Sequence, residues 1–140
     1  MFRNRKIRKQ RSRFYRSIIG SNNLCFDIGA NIGTRTALFL ELGARVIAVE
    51  PNPACVARLD KNYRLQKNVT IIDGAVSDVS GTAQLLGSQK FSEMSTISTA
   101  FRDTIIAAGF ASVEDYKPVS LTVKTLTLEK LIEQYGRPDF

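Results

Sequence analysis

Leu24-Cys25-Phe26-Asp27-Ile28-Gly29-Ala30-Asn31-Ile32-Gly33 is an apolar run that ends in an acid, followed by two glycines four residues apart. After a helical interval comes Arg45-Val46-Ile47-Ala48-Val49-Glu50-Pro51, a second apolar run that also ends in an acid. Strand, glycine turn, helix, strand and terminal acid in that register form the layout of a nucleoside-binding crevice. Such a crevice lies at the carboxyl ends of two adjacent parallel strands.

The residue types narrow the ligand. Gly29 lets the chain turn where a side chain would block a ligand. Gly33 lets the next helix approach closely, with its N-terminal amides facing the site. Asp27 stands at the crevice mouth, where a carboxylate suits a cationic group and is badly placed beside a pyrophosphate. S-adenosylmethionine carries an ammonium and a sulfonium, whereas NAD carries two phosphates. Glu50, 23 residues after Asp27, is suited to accept from both ribose hydroxyls. The dinucleotide fingerprint G-x-G-x-x-G is absent, because Asn31 occupies the middle glycine's place. Each residue also has a plainer reading. The glycines serve helix packing alone, Asp27 caps the helix, and Glu50 is an exposed strand end.

Outward from this core, the pattern predicts strands at 24–28, 45–49 and 69–72. Helices are expected at 34–42, stopped by Gly43, and from the Asn52-Pro53 start to Leu65. The second helix is expected to bury Val56, Leu59 and Tyr63. The alternation implies a parallel sheet. The rhythm then changes to a turn at 77–81 and a strand at 82–86. A polar, hydroxyl-rich loop at 88–99 and a short helix at 101–108 come next. A strand at 120–126 and a helix opened by Thr127, with Leu128, Leu131, Ile132 and Tyr135 on one face, complete the pattern. Arg137-Pro138-Asp139-Phe140 looks like the lead-in to a further buried strand beside the first. The expected fold class is therefore α/β: a Rossmann-like doubly wound sheet. It is read as truncated after three parallel strands plus an inserted hairpin.

Charge is unevenly distributed. The chain carries 20 Lys and Arg against 13 Asp and Glu. Eight of the basic residues lie at positions 3–16, and no acid precedes Asp27. The expected organisation is a basic arm at 1–20 and a near-neutral domain at 21–140. The arm reads as a solvated terminus. Its alternatives are a short amphipathic helix with Ile7, Phe14, Tyr15, Ile18 and Ile19 that lids the fold, or a contact for nucleic acid or anionic membrane through residues 1–16. There is no histidine and no C-x-x-C pair, which excludes zinc sites and histidine-based triads, so no metal is expected. Two lone cysteines, Cys25 and Cys55, fit a reducing cytoplasm.

The segments DIGANIGTRTALFLELGARVIAVEPNP, IIDGAVSDVSGTAQL and TLTLEKLIEQYGRPDF resemble the FkbM family of S-adenosylmethionine-dependent methyltransferases over about residues 24–140. The resemblance implies that Asp27, Gly29, Asn31 and Gly33 hold the methionine and sugar portion of the cofactor. Glu50 would take the ribose, and Asn52 would help close that loop. The Asp73-Gly74-Ala75-Val76 turn would line the adenine, with Asp78 nearby. Asp73 also fits a simple turn former. In the family an apolar strand ending in an acid and a glycine follows Pro-Asp-Phe, and this sequence lacks it.

The expected reaction is methyl transfer to an acceptor, a hydroxyl oxygen of a sugar, lipid or secondary metabolite. The partner is then a small molecule or a glycan. A nicotinamide-dependent oxidoreductase is the competing enzyme reading, and a nucleic-acid or membrane-binding module is the competing non-enzyme reading. Glu93, Ser95, Thr96 and Ser98 are candidate acceptor contacts, or members of an ordinary solvated loop. No catalytic base is assigned. It would be a carboxylate, a water or a residue beyond Phe140.

Overall fold

The computed structural model describes residues 10–86, 95–113 and 121–140. Strands β1 (Leu24–Ile28), β2 (Arg45–Glu50) and β3 (Val69–Asp73) form a parallel sheet in that order. Cys25 pairs with Val46 and Asp27 with Ala48, and Glu50 pairs with Asp73. Side chains alternate across a strand. Asp27 and Glu50 therefore share a face with Cys25, Val46 and Ala48.

That face carries one core, which takes in Phe39 of α2 (Thr34–Glu41) and Leu59 of α3 (Pro53–Tyr63). Leu24, Ile47 and Val49 point the other way, onto Leu131 of the C-terminal helix α5 (Leu128–Tyr135). Helices on both faces explain why β2 reads as an unbroken apolar run, since all its residues after Arg45 are buried. The caps follow the sequence. The Asn52 side chain accepts from Ala54 N–H at the start of α3. Thr127 accepts from Lys130 N–H at the start of α5. Leu128 is an exception on the α5 face, being 44% exposed.

A smaller sheet stands beside the first. Its order is β4 (Ala75–Val76), β6 (Leu121–Leu126), β5 (Gly81–Leu85), with β5 antiparallel to β6 and β4 parallel to it. The expected 73–76 turn thus contains a two-residue strand, because Ala75 and Val76 find ladder partners in Thr125 and Leu126. Helix α4 (Thr99–Ala107) starts two residues before its expected position, since Ser98 caps it by accepting from Phe101 N–H. Most of the expected 88–99 loop, Glu93 included, lies outside the described residues, as do Ile7 and Ser120. No helix among the described residues is long and apolar enough to cross a membrane.

The last residues of the chain meet β1. Phe26 N–H donates to the Phe140 carbonyl, Asp139 N–H donates to the Leu24 carbonyl, and Leu24 N–H donates to the Asp139 carboxylate. Residues 139–140 therefore lie along the edge of β1 that β2 leaves free, the edge at which the sequence pattern expected the further strand. Residues 10–16 are helical and form α1. Ile19 is buried, and the Tyr15 ring packs edge-on against Phe39 (5.1 Å) and Phe140 (5.7 Å). Phe39 and Phe140 also meet edge-on at 5.5 Å. Aromatic contacts of this kind add about 0.5–1.5 kcal/mol each beyond the buried area.

Phe39 is 1% exposed and Phe14 is 61% exposed. Phe39→Ala is expected to cost about 3–5 kcal/mol in a urea unfolding series, and Phe14→Ala about 1 kcal/mol or less. Equal losses would contradict this packing of α1 on the core.

Candidate functional site

A crevice of about 650 Å³ opens at the carboxyl ends of β1 and β2. That volume falls within the usual range for small-molecule sites. Its walls are the 28–32 turn, the first turn of α2, the end of β2, β4, Leu85 and residues 95–97, together with Arg11 and Tyr15 of α1. Glu50, Arg35 and Arg11 are the charged side chains among the described lining residues.

Glu50 is 5% exposed and fixed at both oxygens. Oε2 accepts from Asn31 N–H at 2.8 Å, and Oε1 accepts from Asn52 N–H at 2.9 Å. Val49 O accepts from both Gly29 N–H and Ala30 N–H, so the turn after β1 is bound to the end of β2 twice over. A carboxylate has about four acceptor positions, so each Glu50 oxygen keeps one for a ligand. Burial raises the Glu50 pKa above the ordinary carboxylate value, and the Asp27 charge adds to this. The two backbone donors work in the opposite direction.

The two glycines have different work. Both have positive φ, +70° at Gly29 and +83° at Gly33. A Cβ on Gly29 would meet nothing within 4 Å, so the turn leaves a ledge open to the crevice. A Cβ on Gly33 would lie 2.8 Å from Leu59 Cδ2 and from Tyr63 Cε2, and Tyr63 Oη donates to the Gly33 carbonyl. Gly33 thus lets α3 pack against the start of α2 and does not line the crevice. Asn31, with φ +52°, lies on the crevice wall between them.

Asp27 is 2% exposed and lies behind the wall. Thr36 Oγ1 donates to its Oδ2 at 2.7 Å, and Arg35 Nε donates to its Oδ1 at 3.0 Å. Asn52 stands at the α3 cap, with its N–H on Glu50 and its side chain on Ala54. Asp73 is exposed at the end of β3 and away from the wall, whereas Ala75 and Val76 line it. Asp78 accepts from Ser77 Oγ in an exposed turn. Ser95 and Thr96 reach the crevice, and Ser98 is used as a helix cap. The structure therefore brings Gly29, Asn31, Glu50 and Ala75 together around one space. Asp27, Gly33, Asn52 and Asp73 stand behind or beside it.

Among the lining side chains that the sequence did not single out as site residues are Arg35, Arg11 and Tyr15. An arginine two residues into the helix that follows a strand-end acid is the one local signal for Arg35. Nothing local marks the other two, because α1 reaches the crevice only through tertiary packing. Burial pushes the Cys25 thiol up to about 11 and raises Cys55 as well, so neither is a ready nucleophile.

A parallel sheet with helices on both faces, and an acid at the end of β2 beside a glycine turn, defines a Rossmann-like domain. The family described as "Methyltransferase FkbM domain" matches residues 27–140. The chain belongs to the FkbM methyltransferase family. No curated protein matches it. Among solved structures it is similar to a Clostridium thermocellum protein described as an rRNA-methylase, at 19% identity and a TM-score of 0.42. That match covers 48% of this chain and 39% of the other. It is also similar to a Galdieria sulphuraria protein described as a sarcosine dimethylglycine methyltransferase, at 17% identity and a TM-score of 0.40. There the shares are 53% of this chain and 29% of the other.

Gly33→Ala is expected to lose more than about 2 kcal/mol of stability, from backbone strain plus the clash with Leu59 and Tyr63. Gly29→Ala should lose only about 1 kcal/mol of strain. Chemical denaturation of the two variants checks the ranking, and a reversed order would contradict the division of work between the two glycines. Between pH 4.5, the ordinary carboxylate value, and its raised folded value, Glu50 binds more proton in the folded state than in the unfolded chain. The Glu50 contribution to stability therefore falls as pH rises from the ordinary value through the raised folded pKa. Glu50→Gln should flatten this slope in stability measured against pH. An unchanged slope would show that another group sets it.

Proposed function

We propose that the crevice binds S-adenosylmethionine and that the protein moves its methyl group to an acceptor hydroxyl oxygen. The observation that carries this reading is Glu50. Its two oxygens are each held by one backbone N–H and each keep an acceptor position, which matches the paired donors of a ribose 2′,3′-diol. The open ledge at Gly29 supports it, since a ligand backbone can lie where a side chain would stand. Ala75 and Val76 offer an apolar strip for a purine on the far side of Glu50.

The bound cofactor supplies a methyl group activated on a sulfonium sulfur. The chain's own part is to hold the nucleoside rigidly, so that the methyl carbon points at one place in the crevice. Alignment of this kind contributes several kcal/mol to a displacement. Glu50 is committed to the nucleoside in this reading, so it is not assigned as the base. The acceptor is a small molecule or glycan entering beside residues 95–97. The packing of Tyr15 and Ile19 into the domain favours α1 as a crevice wall over an independent nucleic-acid or membrane module. Two buried free cysteines favour a cytoplasmic protein.

Thermal unfolding with S-adenosylhomocysteine, the stable product form, tests the reading. The melting temperature should rise with ligand concentration, by the amount that binding to the folded state dictates. Glu50→Ala should reduce affinity about tenfold or more, and NAD should have no effect. Stabilisation by NAD alone would favour an oxidoreductase and overturn the methyl-transfer chemistry.

A further inference from the structure

We infer that Arg35 is the crevice's ligand for the α-carboxylate of the methionine portion, an inference that rests on the S-adenosylmethionine reading above. The acid that the sequence pattern places at the mouth does not face the crevice. Asp27 is 2% exposed, and both of its oxygens accept from side chains, Thr36 Oγ1 at 2.7 Å and Arg35 Nε at 3.0 Å. What reaches the wall at that point is the partner cation. The Arg35 side chain is 47% exposed against 1% for Asp27, and Arg35 lines the crevice beside Gly29. The local polarity is therefore the reverse of the one expected from the strand-end acid.

The guanidinium is fixed in place. Nε is on Asp27, and Nη2 donates to the carbonyls of Ile28 (3.3 Å) and Gly29 (3.2 Å). Three anchors on a planar group set its orientation, and the Nη1 donors have no partner among the described residues. The Nη1 donors of a guanidinium held in this way suit a carboxylate oxygen, which they can bind by a charge-assisted hydrogen bond. Glu50 and Arg35 lie on either side of the 29–31 turn and give the crevice an acceptor pole and a donor pole. A ligand with a ribose diol at one end and an amino-acid carboxylate at the other matches both. Asp27 acts through Arg35 by holding its plane.

Three ligands separate the outcomes in calorimetric titrations of the full chain. S-adenosylhomocysteine carries the amino-acid carboxylate. 5′-Methylthioadenosine keeps the nucleoside and sulfur and lacks the amino-acid portion. Arg35→Met is expected to weaken S-adenosylhomocysteine at least tenfold and to leave 5′-methylthioadenosine within twofold, with Arg35→Lys in between. Equal loss of both ligands would show that Arg35 only supports the fold, and no loss of either would also overturn the inference. On the unaltered protein, decarboxylated S-adenosylmethionine keeps ammonium and sulfonium but no carboxylate. It should bind at least tenfold more weakly than S-adenosylmethionine, and equal binding would overturn the inference even if the Arg35 variants failed to fold. If the unaltered protein binds neither S-adenosylhomocysteine nor 5′-methylthioadenosine, the cofactor reading itself fails. If it binds both and only the carboxylate contrasts are missing, the failure belongs to Arg35 alone.

Discussion

The site depends on one buried carboxylate held between two loops. Glu50 accepts from Asn31 N–H in the turn after β1 and from Asn52 N–H at the start of α3. Those donors belong to different strand–helix units, so a single side chain fixes the relative position of both connections. Removing a buried acceptor leaves its donors unmatched, which costs more than the bond itself contributes. Burial strains the same carboxylate electrostatically, and the two N–H donors offset part of that cost. Glu50 also lines the crevice, so in the proposed chemistry the structural bridge is the ribose-binding group as well.

A second constraint is the edge of β1. β2 covers one side of it, and residues 139–140 lie along the other through main-chain hydrogen bonds. Phe140 then completes an aromatic contact with Phe39 and Tyr15. This is how a helix from the basic N-terminal segment comes to stand at the crevice. Tyr15 is anchored in the core cluster, and Arg11, one turn earlier, reaches the wall. The positive charge of that segment is thus partly a property of the crevice, where it bears on the charge of whatever enters.

Much of this was legible locally. Apolar runs that end in Asp27 and Glu50, the Asn52-Pro53 start and the Thr127 cap all act over a few residues, and the structure has them where the sequence places them. Of the expected cofactor residues found around the crevice, Gly29, Asn31 and Glu50 lie at or just after those strand ends, and Ala75 follows β3. What the sequence could not convey depends on distant partners. β4 exists because Ala75 and Val76 meet β6, fifty residues away. Asp27 is periodic with the crevice residues, yet Thr36 and Arg35 turn it inward. Gly33 has the same spacing signal as Gly29, and only the arrival of α3 shows that its missing side chain makes room for Leu59 and Tyr63.

The most direct test of the account is a crystal structure of the protein with S-adenosylhomocysteine. It should show both ribose hydroxyls within hydrogen-bond distance of the Glu50 oxygens, while Asn31 and Asn52 N–H still donate to the same carboxylate. A nucleoside bound elsewhere, or a Glu50 that leaves its two backbone donors to reach the ligand, would contradict the claim that one fixed carboxylate builds the site and reads the ribose.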